Sequence, residues 1–179
     1  MHLENSLTLT DPRAMRALAH PTRLALLDHL HAAGQATATE CAAAVGDSPS
    51  SCSYHLRALG RWGFVEEAGG GAGRERPWRP TAARIEFDSD GTEATVLRDE
   101  LVARQQQRLR DALRREHELP RRWRRAVQTS AATLELTLAE LEQLGERYEK
   151  LLDEFRGRGK RRGTHRVVAT FGAAAEAPE

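Results

Sequence analysis

At 179 residues the chain can hold one ordinary domain or two small ones, with enough length to bury a real core. Its 27 Lys and Arg against 26 Asp and Glu leave a formal charge of +1, which excludes a global pull toward nucleic acid; any such attraction has to be local. A composition of 40% hydrophobic and 30% charged residues fits a helix-rich globular protein, and no apolar run approaches the roughly 20 residues that cross a membrane. Met1 to Thr10 lacks the basic start and apolar centre of a signal peptide, so a cytoplasmic location is expected. Two cysteines, Cys41 and Cys52, are too few for a disulfide framework and lack the C-x-x-C spacing.

Asp11-Pro12 starts a first helix, Arg13 to Ala19, and His20-Pro21 interrupts it. Pro21 opens a second helix with Leu24, Leu27, Leu30 and His31 on one side, closed by Gly34. Thr37-Ala38-Thr39-Glu40 has the form of a capping box and opens a third helix, Ala38 to Val45, ended by Gly46. Ser48-Pro49 then starts a fourth, over about 49–61. A short helix, a tight glycine-containing turn and a second helix together predict a helix-turn-helix.

At about 100° per residue, Cys52, Leu56 and Leu59 share one side of the fourth helix, with His55 at its border. Ser50, Tyr54, Arg57 and Arg61 share the opposite side, with Ser53 beside them. Short donors let a helix backbone approach a groove floor, and arginines reach phosphates or guanine edges. Ser48, Ser50, Ser51, Ser53, Tyr54, His55, Arg57 and Arg61 are therefore the candidate DNA-binding residues of this helix. For His55, a half-buried role orienting its neighbours stands beside a base contact.

Gly63-Phe64-Val65-Glu66-Glu67, a glycine-rich tip and Arg74-Glu75-Arg76-Pro77-Trp78-Arg79 read as a hairpin over about 64–79. Arg74, Arg76 and Arg79 extend the basic surface, placed for phosphates or a minor groove. Helix-turn-helix plus basic hairpin predicts a winged-helix domain over 11–82.

Three runs, Leu18-Ala19-His20-Pro21-Thr22-Arg23-Leu24, Ser53-Tyr54-His55-Leu56-Arg57-Ala58-Leu59 and Gly63-Phe64-Val65, resemble in order and spacing those of bacterial ArsR-type winged-helix regulators. The resemblance covers roughly residues 11–80 and extends to the subgroup with a long C-terminal extension. It implies a homodimeric, operator-binding transcription regulator, most often a repressor, in which Ser50, Ser51, Ser53, Tyr54 and Arg57 face double-stranded DNA. One departure matters. The best-known branch binds metal through a Cys-x-Cys pair on the helix before recognition, whereas that helix here carries Cys41 alone. A soft-metal site needs two or more converging thiolates or imidazoles. No metal and no cofactor is expected.

A long helix is predicted over 91–118, its apolar stripe including Leu97, Leu101, Leu109 and Leu113. A narrow stripe suits a partner helix, so these four leucines are the candidate dimerisation residues, against ordinary packing on their own domain. Arg104 to Arg125 is markedly basic, and Trp123 is expected to anchor the loop after Pro120. Alternation over 132–136, a capping box at Thr137 opening a helix to about Phe155, and a run over 165–171 predict a small α+β unit at 130–172. A disordered tail is expected over 173–179. The fold class is thus mostly α with a small β component.

No nucleophile elbow or phosphate loop is present in the sequence, so no enzyme is expected. The alternatives to a DNA-binding regulator are a winged-helix protein-interaction module, or a sensor whose effector, of unknown identity, lies among Tyr148, Trp123 and the C-terminal leucines. A thiol switch through Cys41 and Cys52 is a further variant.

Overall fold

The computed structural model describes residues 6–69, 76–88, 90–155, 158 and 161–176. Four helices come early, and each opens on a side chain that accepts an otherwise free N–H of its first turn. The Asp11 carboxylate accepts from Arg13 N at 2.8 Å to start α1 (Pro12–Leu18). His20 Nδ1 accepts from Thr22 N at 3.2 Å to start α2 (Pro21–Ala33). The capping box before α3 (Ala38–Val45) is complete, with Thr37 N donating to Glu40 at 2.7 Å and Glu40 N donating to Thr37 Oγ1 at 3.3 Å. Ser48 Oγ accepts from Ser51 N at 3.1 Å to start α4 (Pro49–Arg61). Gly46, at φ 73°, supplies the left-handed turn between α3 and α4 that an L side chain would strain.

After α4 the chain makes the expected hairpin. β2 (Val65–Glu67) and β3 (Trp78–Pro80) pair antiparallel with Val65 opposite Pro80, Glu66 opposite Arg79 and Glu67 opposite Trp78. The tip and Arg74 lie outside the described residues. A bridge that the sequence did not announce joins the hairpin to the segment before α3. Trp78 N donates to Ala36 O at 2.8 Å, and Ala36 N donates to Trp78 O at 3.0 Å. The wing is thereby anchored to the helix-turn-helix rather than hanging from α4 alone.

Two further strands were not expected. β1 (Ser6–Leu9) and β4 (Arg84–Phe87) pair in parallel, from Ser6 opposite Arg84 to Leu9 opposite Phe87. Four residues each are too few for alternation to declare itself, and the pairing is between distant parts of the chain. Leu9 is buried, and Leu7, Ile85 and Phe87 pack against the core.

The helix α5 (Thr92–Arg114) follows, and the chain divides within it into two compact units, the first ending at Arg104. In that first unit, Leu26, Leu30, Cys41, Cys52, Leu56 and Leu97 are all 0% exposed. Ala94 and Leu97 belong to the same core as α2 and α4, and Leu101 packs against it. Ion pairs hold this half of the helix, among them Arg16 with Glu93 at 2.5 Å and Arg104 with Asp28 at 2.6 Å. The expectation that Leu97 serves a dimer is therefore corrected, because its side chain is consumed by its own core. Helix geometry gives the reason. Steps of four residues drift by about 40° each, so Leu97 and Leu113 lie about 160° apart and cannot share one narrow seam.

The second unit carries the end of α5, a single 3₁₀ turn over Glu116–Glu118, the short α6 (Arg121–Arg124) and α7 (Leu138–Asp153). The helix over 138–153 stands as expected, with its capping box between Thr137 and Glu140. The two strands expected beside it do not form: residues 132–136 and 165–171 have no regular structure. Leu134 is 58% exposed and Val167 70% exposed, so alternation there marks no buried sheet face. A lone two-stranded pair gains too little burial to hold together. Aromatic contacts tie the last segment down instead, Phe171 stacking on Tyr148 at 4.5 Å and His165 meeting Trp123 at 4.6 Å.

Candidate nucleic-acid interface

The first turn of α4 is locked by its own serines. Asp47 accepts from Ser48 N at 2.7 Å and from the Ser51 hydroxyl at 2.8 Å, and Ser48 Oγ lies 3.1 Å from Ser50 Oγ. The Ser51 and Ser48 hydrogen bonds hold the Asp47 carboxyl below the usual carboxylate range. Ser48 and Ser51, read from sequence as DNA contacts, are thus engaged in building the helix start, and Ser51 is half-buried. Their effect on a groove is through the helix they hold.

Beyond that turn, α4 presents Tyr54, Arg57 and Arg61 to solvent, with Ser50 exposed and Ser53 half-buried alongside. Between these residues and the wing runs an open groove with two adjoining hollows. One, of about 570 Å³, is lined by Tyr54, Arg57, Gly60, Arg61, Val65, Glu66, Glu67 and Trp78. The other, of about 560 Å³, adds Ala38, Pro49, Ser50, Ser53 and Arg76 around the same Arg57, Glu67 and Trp78. Arg57 stands where the two meet. Trp78 forms the wall that sequence reasoning missed, and Gly60 is what admits it: a Cβ on Gly60 would lie 3.0 Å from the indole ring.

Arg76 lines the groove, Arg79 lines neither hollow, and each is paired with a wing glutamate. Arg79 Nε donates to Glu66 Oε1 at 2.8 Å, and Arg76 Nη1 donates to Glu67 Oε2 at 3.1 Å. Both pairs sit at the surface.

His55 turns away from this surface. Its ring lies 4.7 Å from that of His20 and 5.3 Å, edge-on, from Tyr54, and its buried Nδ1 has no hydrogen-bond partner. It is half-buried and lines neither hollow of the groove, which does not favour the base contact read from the sequence. Burial, then His20 and Arg23, push the His55 pKa below the ordinary 6.5, while Asp47 pulls the other way. A depressed imidazole pKa means that the unfolded chain takes up the proton first. Stability is then full above pH 6.5 and declines as pH falls through 6.5 toward the lower value of folded His55. Denaturant titrations between pH 8 and pH 5 should show this loss, with a shallower dependence in His55→Gln; identical pH dependence in the two proteins would contradict it.

Cys41 and Cys52 are both fully buried. Burial first, then the neighbouring Cys52, pushes the Cys41 thiol up to about 11. Burial raises Cys52 as well. Neither offers the accessible thiolate that a redox switch needs. Iodoacetamide at pH 7.5 is expected to label neither cysteine in the folded protein and both in urea; rapid labelling of the native chain would reopen the thiol switch. The Tyr148 ring, offered from sequence as a wall of an effector site, is stacked on Phe171 instead. Among the described residues no group of three His, Cys, Asp or Glu is placed to hold a metal ion, and no helix is long and apolar enough to cross a membrane.

No curated protein matches the chain. One solved structure from Mycobacterium bovis is described as the homodimeric winged helix-turn-helix DNA-binding domain, a 1–100 fragment, of a possible ArsR-family transcriptional regulator. The two share 25% identity over 60% of this chain and 84% of that one, with a TM-score of 0.35. Residues 18–68 match the family model for a helix-turn-helix domain, which takes in the end of α1, all of α2 to α4 and the first wing strand. This segment is similar to a helix-turn-helix domain, and the hairpin bridged to Ala36 follows it as a wing would.

Proposed function

We propose that the protein is a homodimeric transcription regulator that lays α4 in the major groove of a two-fold symmetric operator, with the wing alongside. The observation that carries this reading is the outer face of α4. Ser50, Tyr54, Arg57 and Arg61 are exposed together at the mouth of a groove between helix and wing, on a segment that matches a helix-turn-helix family model. An exposed surface helix without a ligand has no need of a phenol and two guanidiniums aimed into a groove beside its wing. Arg57 is the residue best placed for a guanine edge, Tyr54 and Ser53 for flanking base or phosphate contacts, and Arg61 for a phosphate. The resemblance to ArsR-type regulators favours repression and a cytoplasmic site of action.

A second copy is the proposed occupant of the later face of α5. Val102 is 44% exposed. Leu109 and Leu113 fall within about 40° of it on an ideal helix, separate from the face that buries Leu97. A two-fold dimer of winged helices presents its two recognition helices to half-sites one DNA turn apart, roughly 34 Å. Selection of duplexes from a random library by the purified chain tests the reading. Enrichment of an inverted repeat with half-site centres about 10 base pairs apart supports it. Recovery of no preferred sequence overturns it in favour of a winged-helix protein-docking module.

A further inference from the structure

We propose that Glu66 and Glu67 are specificity determinants which suppress binding to non-operator DNA by holding the wing arginines and guarding the groove. The inference rests on the DNA-binding reading above and adds to it a residue-level source of discrimination. Its first support is register. Glu66 stands directly opposite Arg79 in the β2–β3 ladder, so their 2.8 Å contact is set by strand pairing rather than by a chance meeting of long side chains. Glu67 reaches Arg76 at 3.1 Å on the next position of the same strand. Its second support is position. Glu67 lines both hollows of the groove into which Arg57 projects, and Glu66, whose side chain alternates to the other face of the strand, borders one of them.

The consequence follows from how protein and DNA attract each other. Non-specific binding is supplied almost wholly by cations that neutralise phosphates and release counterions. Arg76 and Arg79 are each already neutralised by a carboxylate, and an incoming phosphate has to displace that carboxylate while lying close to it. A duplex of any sequence meets this opposition. Only one that also satisfies Arg57 and its neighbours on α4 makes contacts enough to outweigh it. The wing thus withholds the sequence-independent part of the affinity and leaves the choice of site to the recognition helix.

The test is the double variant Glu66→Gln/Glu67→Gln in the full chain, since glutamine still accepts from arginine and keeps the strand pairing. Binding to a random-sequence duplex and to the selected site is measured by fluorescence anisotropy across a salt series. Affinity for the random duplex is expected to rise about tenfold at low salt, with the log–log salt slope steeper by about one to two, as two arginines are released to phosphates. Affinity for the selected site should rise less, so the ratio between the two falls. The pair Glu135→Gln/Glu142→Gln, exposed in the second unit, makes the same change in net charge and should alter neither affinity. Unchanged binding to random DNA in the wing variant, an equal gain at both duplexes, or the same gain in the second-unit variant would each overturn the inference while leaving DNA binding intact. Failure of wild type and wing variant alike to bind any duplex at low salt would overturn the DNA-binding reading, and this one with it.

Discussion

Truncating Leu97 to alanine is expected to destabilise the first unit by about 2–5 kcal/mol, the range for a fully buried leucine whose surroundings close only partly over the cavity. Leu97 is 0% exposed and belongs to the same core as Leu26, Leu30 and Leu56, the last of them on α4. The same residue in a dimer seam would behave differently. Its loss would weaken self-association, and the apparent stability would depend on protein concentration. Urea titrations at two protein concentrations, one about a hundred times the other, separate the two. A large loss of midpoint at both concentrations is the expected result. A loss seen only at the lower one would return Leu97 to the interface. Leu113→Ala is the companion variant, and from the proposed pairing it should act through concentration.

Replacing Arg57 with alanine is expected to weaken binding to the selected operator by about tenfold to a hundredfold, the cost of losing one good base contact, and to relax preference at one base pair of each half-site. Arg57 is exposed, carries no ion pair with the wing glutamates, and lines both hollows of the groove. The variant should remain folded, because Leu56 and Ala58 on either side carry the packing. Competition binding with single-base variants of the site reads the relaxed position. Unaltered affinity and unaltered preference would place the reading head elsewhere on α4.

How much of this was written in the chain depends on the range of the signal. The four early helices were legible because each one announces itself within a few residues: Asp11-Pro12, Pro21, the Thr37–Glu40 box and Ser48-Pro49 all open helices in space as they do in sequence, and only the His20 cap before Pro21 went unread. The outer face of α4 was legible for the same reason, since helical phase places Ser50, Tyr54, Arg57 and Arg61 together without help from the rest of the fold. The misreadings all concern partners distant in the chain. Leu97 and Leu101 follow helical spacing whether they face a core or another protomer, and only the packing of α2 and α4 decides between them. Alternation at 132–136 and 165–171 looks like a strand, but a strand needs a partner and a buried face, and neither segment has them. The pairing of Glu66 and Glu67 with the wing arginines could not be read either. It follows from a hairpin register that depends on the length of the loop. His55 fell on the helix border, and only the approach of His20 shows which way it turns.

The most direct test of the central claim, that α4 and its groove bind duplex DNA, is a salt titration of the full chain on the selected duplex. Saturation at two protomers per site is expected, with an affinity whose logarithm falls linearly with the logarithm of salt concentration, as counterion release requires. Absence of binding to every duplex at low salt, or binding indifferent to salt, would contradict it.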